Sequence, residues 1–373
     1  MSLTEQKQPS RAYAVHAMLG AAACTLSSTV AMAQSDRSLT IYGRLNTGLE
    51  VVRASAGDSV TRLSNYRSVL GFRGEEALGG GLRALWQLEG SLALDTGAGS
   101  SFTNRDTRVG LAGPWGTAFA GVWTLPYNAA TSGFDPFYPT TAGYMAIMGN
   151  GSASISDNVQ NTSSFDRRQV NQLQYWSPRL GGVTVKLGYA LPEETVAGSG
   201  ARPWLASGSL VYEAEGLVLA AAVEHHEAYQ ARDTADIGVK LGAAYQWAGA
   251  RLAAVVERLN YETTSGDLTR QAWYVSGTYR IGQGTLKAGY ARAGNGSGRS
   301  RARVGAIHSG PSTGASQLTV GYDHELSRRT TLQAFVSQID NQRQGLHDFA
   351  INEAGLSAGQ RAGVFTVGMR HSF

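Results

Sequence analysis

Cysteine, lysine, proline and charge of either sign are scarce in this chain of 373 residues. Its one cysteine is Cys24, so a disulfide framework and thiol chemistry are both excluded. The formal net charge is +4, which is too small to indicate a nucleic-acid partner. Lysine is outnumbered by arginine 4 to 28, and charged residues make up only 16% of the chain. With 47 glycines and nine prolines, the composition fits a sheet protein with many tight turns.

The first 33 residues predict a secretory signal peptide. Lys7 and Arg11 supply its positive end, residues 12–30 are small and apolar, and Ala31-Met32-Ala33 is the expected cleavage motif. We therefore expect a signal peptide at 1–33, cleaved after Ala33, and a mature chain from 34 to 373 without cysteine.

Two other readings of this segment are weaker. A transmembrane anchor needs about 20 strongly apolar residues, and this run is shorter and rich in Ala, Ser and Thr. A lipoprotein signal ending at Cys24 would usually carry a larger aliphatic residue where Ala21 stands.

After the signal, apolar and polar residues alternate in short segments. Residues 39–52 place Leu39, Ile41, Leu45 and Leu49 on one face, which is typical of a half-buried strand. The same pattern predicts the following further strands: a hairpin over 66–94, then 105–112, 117–124, 167–177, 183–190, 207–213, 217–227, 235–247, 250–262, 271–281, 284–292, 316–325, 330–340 and 361–373.

These segments make sixteen strands whose connections alternate between short turns and longer polar segments. That alternation, with strands of about ten residues, is typical of an outer-membrane barrel. An even strand number lets the first strand pair with the last, so that no sheet edge faces lipid. Two ordinary domains are the usual alternative at this length, but large barrels form one unit.

The energy of burial decides which face meets lipid. A lysine or arginine facing lipid at the midplane costs roughly 2–4 kcal/mol, so we expect the arginine faces to point into the barrel. Aromatic residues then fall on the lipid face: Trp86, Tyr189, Tyr245, Trp247 and Tyr279. A soluble β-sandwich would bury the apolar faces together, but it would not explain the alternation of loop lengths.

Residues 125–166 are the longest segment without alternation. They contain three prolines and are rich in Gly, Ser, Thr and Asn. A coil this long in a compact protein usually has a function. We expect it to fold into the mouth of the barrel and to narrow a water-filled pore.

Several segments resemble the general diffusion porins of Gram-negative bacteria, in particular the betaproteobacterial type. They are LTIYGRLNTG (39–48), LGFRGEEALGGGLRALWQLE (70–89), VGLAGPWGTAFAGVW (109–123), YWSPRLGGVTVKLGYA (175–190) and VGMRHSF (367–373). The resemblance implies an all-β, transmembrane, 16-stranded antiparallel β-barrel with long external loops, the third of which folds into the pore.

The resemblance also implies a location and partners. The protein would be exported through the periplasm into the outer membrane and would form a homotrimer among lipid and lipopolysaccharide. The outer-membrane assembly machinery would read the last strand through Phe373, His371 and Met369. Small hydrophilic solutes and ions would pass, and neither enzyme activity, a cofactor nor a metal is expected.

In that family the constriction sets arginines on the wall against acids on the inward loop. Carried over to this chain, the wall residues are Arg44, Arg67, Arg73, Arg108 and Arg168, and the loop acids are Asp135 and Asp157.

The chain departs from the family pattern at four positions of the charge ladder. Val69, Val122 (in Ala120-Gly121-Val122) and Gln174 stand where arginines are usual, and Asn46 replaces an early acid, although Arg67 lies on the same face as Val69. The ladder is therefore thinner, which implies mild anion selectivity. If the loop aspartates titrate near 4, anion preference should rise as the pH falls through about 4.

Three alternatives stay open from the sequence. Asp135 and Asp157 could form a carboxylate pair for hydrolysis or a cation site, although no histidine or third acid completes one. The barrel could be a substrate-specific channel with a binding site at the constriction, which would show saturable flux. It could also be a non-channel barrel such as a surface enzyme or adhesin.

Overall fold

The alternating segments form one closed antiparallel sheet. A computed structural model of the protein describes residues 38–55, 57–98 and 101–373. The expected signal peptide and its cleavage site at Ala33 lie outside the described residues. The strands are β1 Ser38–Ala54, β2 Ser59–Asn65, β3 Ser68–Gly79, β4 Leu82–Leu92, β5 Thr107–Gly113, β6 Gly116–Thr124, β7 Ala153–Ser156, β8 Arg167–Trp176, β9 Val183–Ala190, β10 Trp204–Ala214, β11 Leu217–Glu227, β12 Ala235–Trp247, β13 Ala250–Thr263, β14 Gly266–Ile281, β15 Gly284–Ala293, β16 Ala315–Glu325, β17 Thr330–Asn341 and β18 Arg361–Ser372.

The barrel wall has sixteen strand positions, as predicted. Strands β2 and β3 pair in turn with β1 and together make one wall strand. Strand β7 is different, because it pairs parallel to β8 inside the loop. The ring closes where β1 pairs antiparallel with β18, with Arg44 opposite Ser372. Pairing around the whole ring leaves no wall strand with an open edge towards lipid.

Strand β2 is the main addition to the predicted strands. The sequence prediction began this strand at residue 66, because the segment 59–65 breaks the alternation. Val60 and Leu63 are three residues apart, so they point to opposite faces of a regular strand and give no apolar face. Both are exposed. Pairing with β1 orders the segment nevertheless.

The outward face carries the expected apolar and aromatic residues. The predicted lipid-facing aromatic residues are all at least 38% exposed: Trp86, Tyr189, Tyr245, Trp247 and Tyr279. The expectation that arginines on the strands point inward is wrong at four positions. Arg53 and Arg361 lie on the outward face at the ends of β1 and β18. Arg258 and Arg292 are exposed on the outward face, among Val256 and Trp273.

The segment 125–166 lies inside the barrel, as predicted, and contains all the short helical turns of the described residues. They are the helix α1 Pro126–Ala129 and the 3-10 turns Ser132–Phe134, Tyr144–Ala146 and Met148–Asn150. No helix in the described part of the chain is long and apolar enough to cross a membrane. The whole segment 125–166 is called L3 below. Its residues 140–150 are all buried.

One carboxylate on the wall holds L3. Glu257 of β13 accepts a hydrogen bond from the Gly149 N–H at 2.9 Å and another from the Tyr127 hydroxyl at 3.1 Å. It also pairs with Arg270 of β14 at 2.9 Å, and Lys240 of β12 lies 3.6 Å away. Gly149 and Tyr127 belong to the loop, whereas both cations belong to the wall.

The buried charges around this carboxylate balance. Lys240 also pairs with Asp166, at the end of L3, at 2.9 Å. All four side chains of this quartet (Asp166, Lys240, Glu257 and Arg270) are at most 1% exposed. Two cations and two anions therefore neutralise each other away from water. Such a set tolerates the loss of one member poorly, because the partner charge is left buried and unpaired.

Further contacts fix L3 along the same side of the barrel. Ser276 of β14 donates to the Phe134 carbonyl at 2.6 Å. Gln317 of β16 donates to the Ala142 carbonyl at 3.1 Å. Lys287 of β15 donates to the Pro136 carbonyl at 3.2 Å. L3 thus packs against strands β12–β16, and this side of the wall is called the anchor wall below.

Replacing Glu257 with Ala should release L3 from the anchor wall. Removing one partner of a buried charged group costs about 3–5 kcal/mol, which is enough to open a loop without unfolding a closed barrel. We expect chymotrypsin to cleave L3 at its aromatic residues in the variant, while the barrel keeps its heat-resistant mobility in detergent gels.

The matched control is Glu325→Ala. Glu325 pairs with Arg280 at 3.1 Å, but both side chains are about half exposed, so the pair stabilises little. An L3 segment that resists chymotrypsin equally in the wild type and in Glu257→Ala would show that this carboxylate does not hold the loop.

Candidate functional site: the pore constriction

The constriction lies where L3 approaches the wall opposite its anchors. The arginines on this side come from β1, β5, β8 and the break between β2 and β3. We call this side the arginine wall; its members are Arg44, Arg67, Arg73 (on β3), Arg105, Arg108 and Arg168. It faces the middle of L3, where Tyr138, Ser152 and Ser154 present hydroxyl and carbonyl oxygens.

Arg67 makes the direct link between wall and loop. It sits at the break between β2 and β3 with φ of 54°, a left-handed conformation that interrupts the strand and redirects the side chain. Its guanidinium donates to the Tyr138 hydroxyl at 3.4 Å and also to the Ser152 hydroxyl. Arg44 of β1 donates to the Arg67 carbonyl at 3.1 Å, which places a second guanidinium beside the first.

Arg168 lies deeper in the same wall and is almost fully engaged. Its guanidinium donates to Asp106 at 2.8 Å, to the Thr124 hydroxyl at 2.9 Å and to the Ser154 carbonyl of L3 at 3.0 Å. It is 5% exposed. Arg168 therefore holds L3 at its second edge and is a candidate for the constriction.

Arg105 joins this group, although the sequence did not point to it. It pairs with Glu89 at 3.5 Å, and both side chains are nearly buried. Burial, together with the positive charges of Arg168 and Arg67, lowers the pKa of Arg105 to about 10. The group stays protonated at neutral pH, and the shift reflects the crowding of guanidinium groups at the constriction.

Arg73 and Arg108 lie nearer the short-turn end of the lumen. Arg73 is exposed, and its guanidinium stacks 5.2 Å from the ring centre of Tyr42. The guanidinium of Arg108 lies 4.4 Å from the ring centre of Trp123 and 5.0 Å from that of Trp176. Neither contacts L3, so they extend the basic wall beyond the constriction itself.

Asp135 lies on the anchor side of the loop. Its carboxylate accepts hydrogen bonds from the backbone N–H groups of Phe137 and Tyr144 and from the Tyr274 hydroxyl, at 2.8–3.0 Å. Burial raises its pKa above the ordinary value, although these three hydrogen bonds act in the opposite direction. The carboxylate therefore shapes L3. Contrary to the expectation from the sequence, it does not face the arginines.

Asp157 is also used within the loop. Its side chain accepts from the N–H groups of Val159 and Gln160, both at 2.9 Å, and closes a local turn. The structure does not bring Asp135 and Asp157 together. In the described residues no group of three or more histidine, cysteine or acidic side chains could hold a metal ion.

The acids that face the arginines belong to the wall itself. Glu89 of β4 accepts from the Tyr42 hydroxyl at 3.0 Å, and Asp106 pairs with Arg168. Burial opposes ionisation of Asp106, but the guanidinium groups of Arg168 and Arg105 and the hydrogen bond from the Thr124 N–H together outweigh it, so the pKa of this carboxyl lies below its ordinary value. Arginines outnumber acids here, and the constriction is cationic on one side and polar but uncharged on the other.

Sequence reasoning missed Arg105, Glu89, Asp106 and Tyr138. Arg105 and Asp106 precede β5 as a charged pair, and Glu89 has the same strand parity as Gln87, which faces the lumen. Parity was a usable signal for Glu89. The position of Tyr138 depends on how L3 folds, and no local pattern encodes it.

The fold defines a water-filled transmembrane channel with one loop folded into the pore beside a row of arginines. The chain belongs to the Gram-negative porin family, whose sequence profile matches residues 20–344. It is an outer-membrane channel for passive diffusion and not an enzyme.

Individual porins match over most of the chain. "Outer membrane porin protein 32" of Delftia acidovorans is 29% identical over 365 residues, which cover 95% of this chain and 98% of that protein. The structure of an anion-selective porin from Comamonas acidovorans superposes with a TM-score of 0.77 and 26% identity, covering 91% of this chain and all of that one. The trimer form of OmpT from Vibrio cholerae shares the fold, with a TM-score of 0.64 and 15% identity over 90% of this chain and 99% of that one.

The placement of the acids predicts different effects on ion selectivity for two neutralising substitutions. Glu89→Gln removes a negative charge from the arginine wall, whereas Asp135→Asn removes one that faces the anchor wall. A unit charge about 8 Å from an ion in water contributes about 0.5 kcal/mol, and salt screening over one Debye length reduces this to about 0.2 kcal/mol. Because the contribution has opposite signs for anions and cations, Glu89→Gln should raise the ratio of anion to cation permeability roughly twofold. Asp135→Asn should leave this ratio unchanged. The measurement is the reversal potential of each variant in a potassium chloride gradient. A larger shift for Asp135→Asn than for Glu89→Gln would contradict the placement of the acids.

Proposed function

We propose that the channel prefers anions and that Arg44, Arg67, Arg105 and Arg168 generate this preference. The observation that carries the proposal is that, within the described residues, no carboxylate of L3 forms an ion pair with these arginines. Tyr138 and Ser152 offer only hydroxyl groups to Arg67. The likeness to an anion-selective porin from Comamonas acidovorans supports the same preference.

Arg73 and Arg108 extend the attraction along the lumen in this proposal. Arginine stays protonated over the biological pH range, so the wall remains cationic. An anion leaving the constriction would pass from one guanidinium to the next with a shallow change in energy. Selectivity with rapid exit requires attraction that is spread over several weak sites.

The assembled state in this proposal is a homotrimer in the outer membrane. The trimer form of the related OmpT fold supports this state. Residues 1–33 act as the signal peptide, which is removed after Ala33. Lipid and lipopolysaccharide surround the barrel.

The last strand acts as the signal for the assembly machinery in this proposal. Phe365, Val367 and Met369 are exposed in alternation on the outward face of β18. His371 and Phe373 continue the row with stacked rings, and the Phe373 N–H donates to the Gly43 carbonyl at 3.1 Å. A regular apolar face that ends in an aromatic residue suits recognition before the barrel closes.

A substrate-specific channel is the second candidate, favoured by one cluster on the lumen wall. Phe119, Trp123 and Trp176 surround Arg108, and Lys186 lies 4.6 Å from the Trp176 ring centre. Such a surface could retain a planar anion. Flux that saturates with solute concentration would favour this candidate, whereas flux proportional to concentration supports general diffusion.

The arginine proposal predicts the behaviour of Arg44→Gln/Arg67→Gln. Each lost charge should lower the anion to cation permeability ratio roughly twofold, and the double variant roughly fourfold. The control is Arg328→Gln, in the exposed turn between β16 and β17. The assay is single-channel recording of refolded protein in a planar bilayer with a salt gradient, where conductance steps in groups of three are expected. An unchanged ratio in the double variant would contradict the proposal.

The acids of the wall also predict a pH dependence. The pKa of Asp106 is depressed, so this carboxylate stays ionised as the pH falls from 7 to 5. Its protonation, below about pH 4, removes a negative charge from the wall and raises anion preference. The reversal potential should therefore be constant between pH 7 and pH 5 and shift towards anions only below about pH 4. A shift completed above pH 5 would show that another group controls the field.

A further inference from the structure

Two neighbouring arginines on the outer surface of the barrel do not face the pore. Arg258 of β13 and Arg292 of β15 point away from the lumen and are exposed. Neither forms an ion pair or a side-chain hydrogen bond with any residue that the structure describes. The nearest acid on the same face of β13, Glu262, lies four residues nearer the strand end and does not pair with Arg258.

The strand register places both arginines around one groove. Arg258 lies between Val239 and Gln271 on the neighbouring strands. Trp273 lies between Val256 and Arg292, in the next row towards the middle of the membrane. From strand spacing and rise, the two arginine Cα atoms are about 12 Å apart, so their long side chains can reach a common ligand.

The groove has a basic rim and an apolar floor. Its volume is about 490 Å³. Leu241, Val256 and Trp273 supply apolar surface, whereas Arg258, Arg292 and Gln271 supply donors. No outward-facing acid lines it. A ligand that fits both parts carries an anionic group and a hydrocarbon chain.

The groove lies at the height of the boundary between the lipid hydrocarbon and the headgroups. The Trp273 ring lies 5.3 Å from that of Tyr290, and paired aromatic residues of this kind mark the interface between hydrocarbon and headgroups. Arg292 is at the level of Trp273, and Arg258 is one row closer to the external loops. Arginine is tolerated at this level, where an anionic lipid surface attracts it.

We propose that Arg258 and Arg292 bind a phosphate group of lipopolysaccharide, with an acyl chain of the same molecule in the groove. The external loops face the outer leaflet, whose lipid carries phosphates on an acylated sugar. Gln271 adds a neutral donor, and the apolar floor contacts the chain. The inference rests on the surrounding lipid named in the proposed function and assigns a specific place on the wall to it.

The test measures binding of lipid A to the folded, mature protein in detergent. The variants are Arg258→Gln/Arg292→Gln and, as a matched control, Arg53→Gln/Arg361→Gln. Arg53 and Arg361 are also exposed arginines on the outward face, but they lie at the ends of β1 and β18, outside the groove. Native mass spectrometry reports the fraction of protein that keeps bound diphosphoryl lipid A.

The groove variant should bind lipid A about 30-fold more weakly than the wild type, and the control variant should bind it normally. Arg258→Lys/Arg292→Lys should restore most of the binding, which excludes a folding defect. Dephosphorylated lipid A and phosphatidylglycerol should bind the wild type weakly. Equal binding of diphosphoryl lipid A to wild type and groove variant would overturn the proposal, as would equally tight binding of dephosphorylated lipid A or of phosphatidylglycerol. The reversal potential of the groove variant should not change, so failure here is distinct from failure of the arginine-wall proposal.

Discussion

The neutral buried quartet around Glu257 is the interaction on which the pore depends. A loop of about forty residues inside a wide barrel would otherwise be free to lie anywhere in the lumen. Glu257 binds the loop backbone at Gly149 and the loop side chain of Tyr127, and its own charge is balanced by Lys240 and Arg270. A neutral quartet at this position fixes the loop without leaving a charge that would bind passing ions.

Anchoring on one side produces an asymmetric channel. We propose that the loop closes the anchor wall and that the remaining passage runs along the arginine wall. Because the side chains of Asp135, Asp157 and Asp166 all bond to the loop or to the anchor wall, none of them forms an ion pair with Arg67 across the passage. In the proposed channel, the positive field at the constriction is a consequence of how the loop is held, and the wall acids Glu89 and Asp106 only moderate it.

Much of the wall could be predicted from the sequence, because lipid and water impose a period of two on every strand. The hairpins, the inward loop and the aromatic residues on the outer face followed from that alternation. The break at Arg67 and the strand 59–65 did not, since there pairing with β1 overrides a broken local pattern. The roles of Asp135 and Asp157 could not be predicted either, because tertiary contacts decide whether a loop carboxylate faces the pore or its own backbone. Arg258 and Arg292 violate the rule for the lipid face, and such a violation can be recognised only when the register is known.

The most direct test of this account asks which side of L3 meets the aqueous passage. Residues 34–373 contain no cysteine, so single cysteines can be placed at Ser152, which faces Arg67, and at Ser276, which contacts L3 on the anchor wall. A negatively charged thiol reagent is added during single-channel recording. The account predicts a rapid fall in current for Ser152→Cys and no change for Ser276→Cys. Rapid modification of Ser276→Cys together with an unreactive Ser152→Cys would show that the passage runs on the other side of the loop.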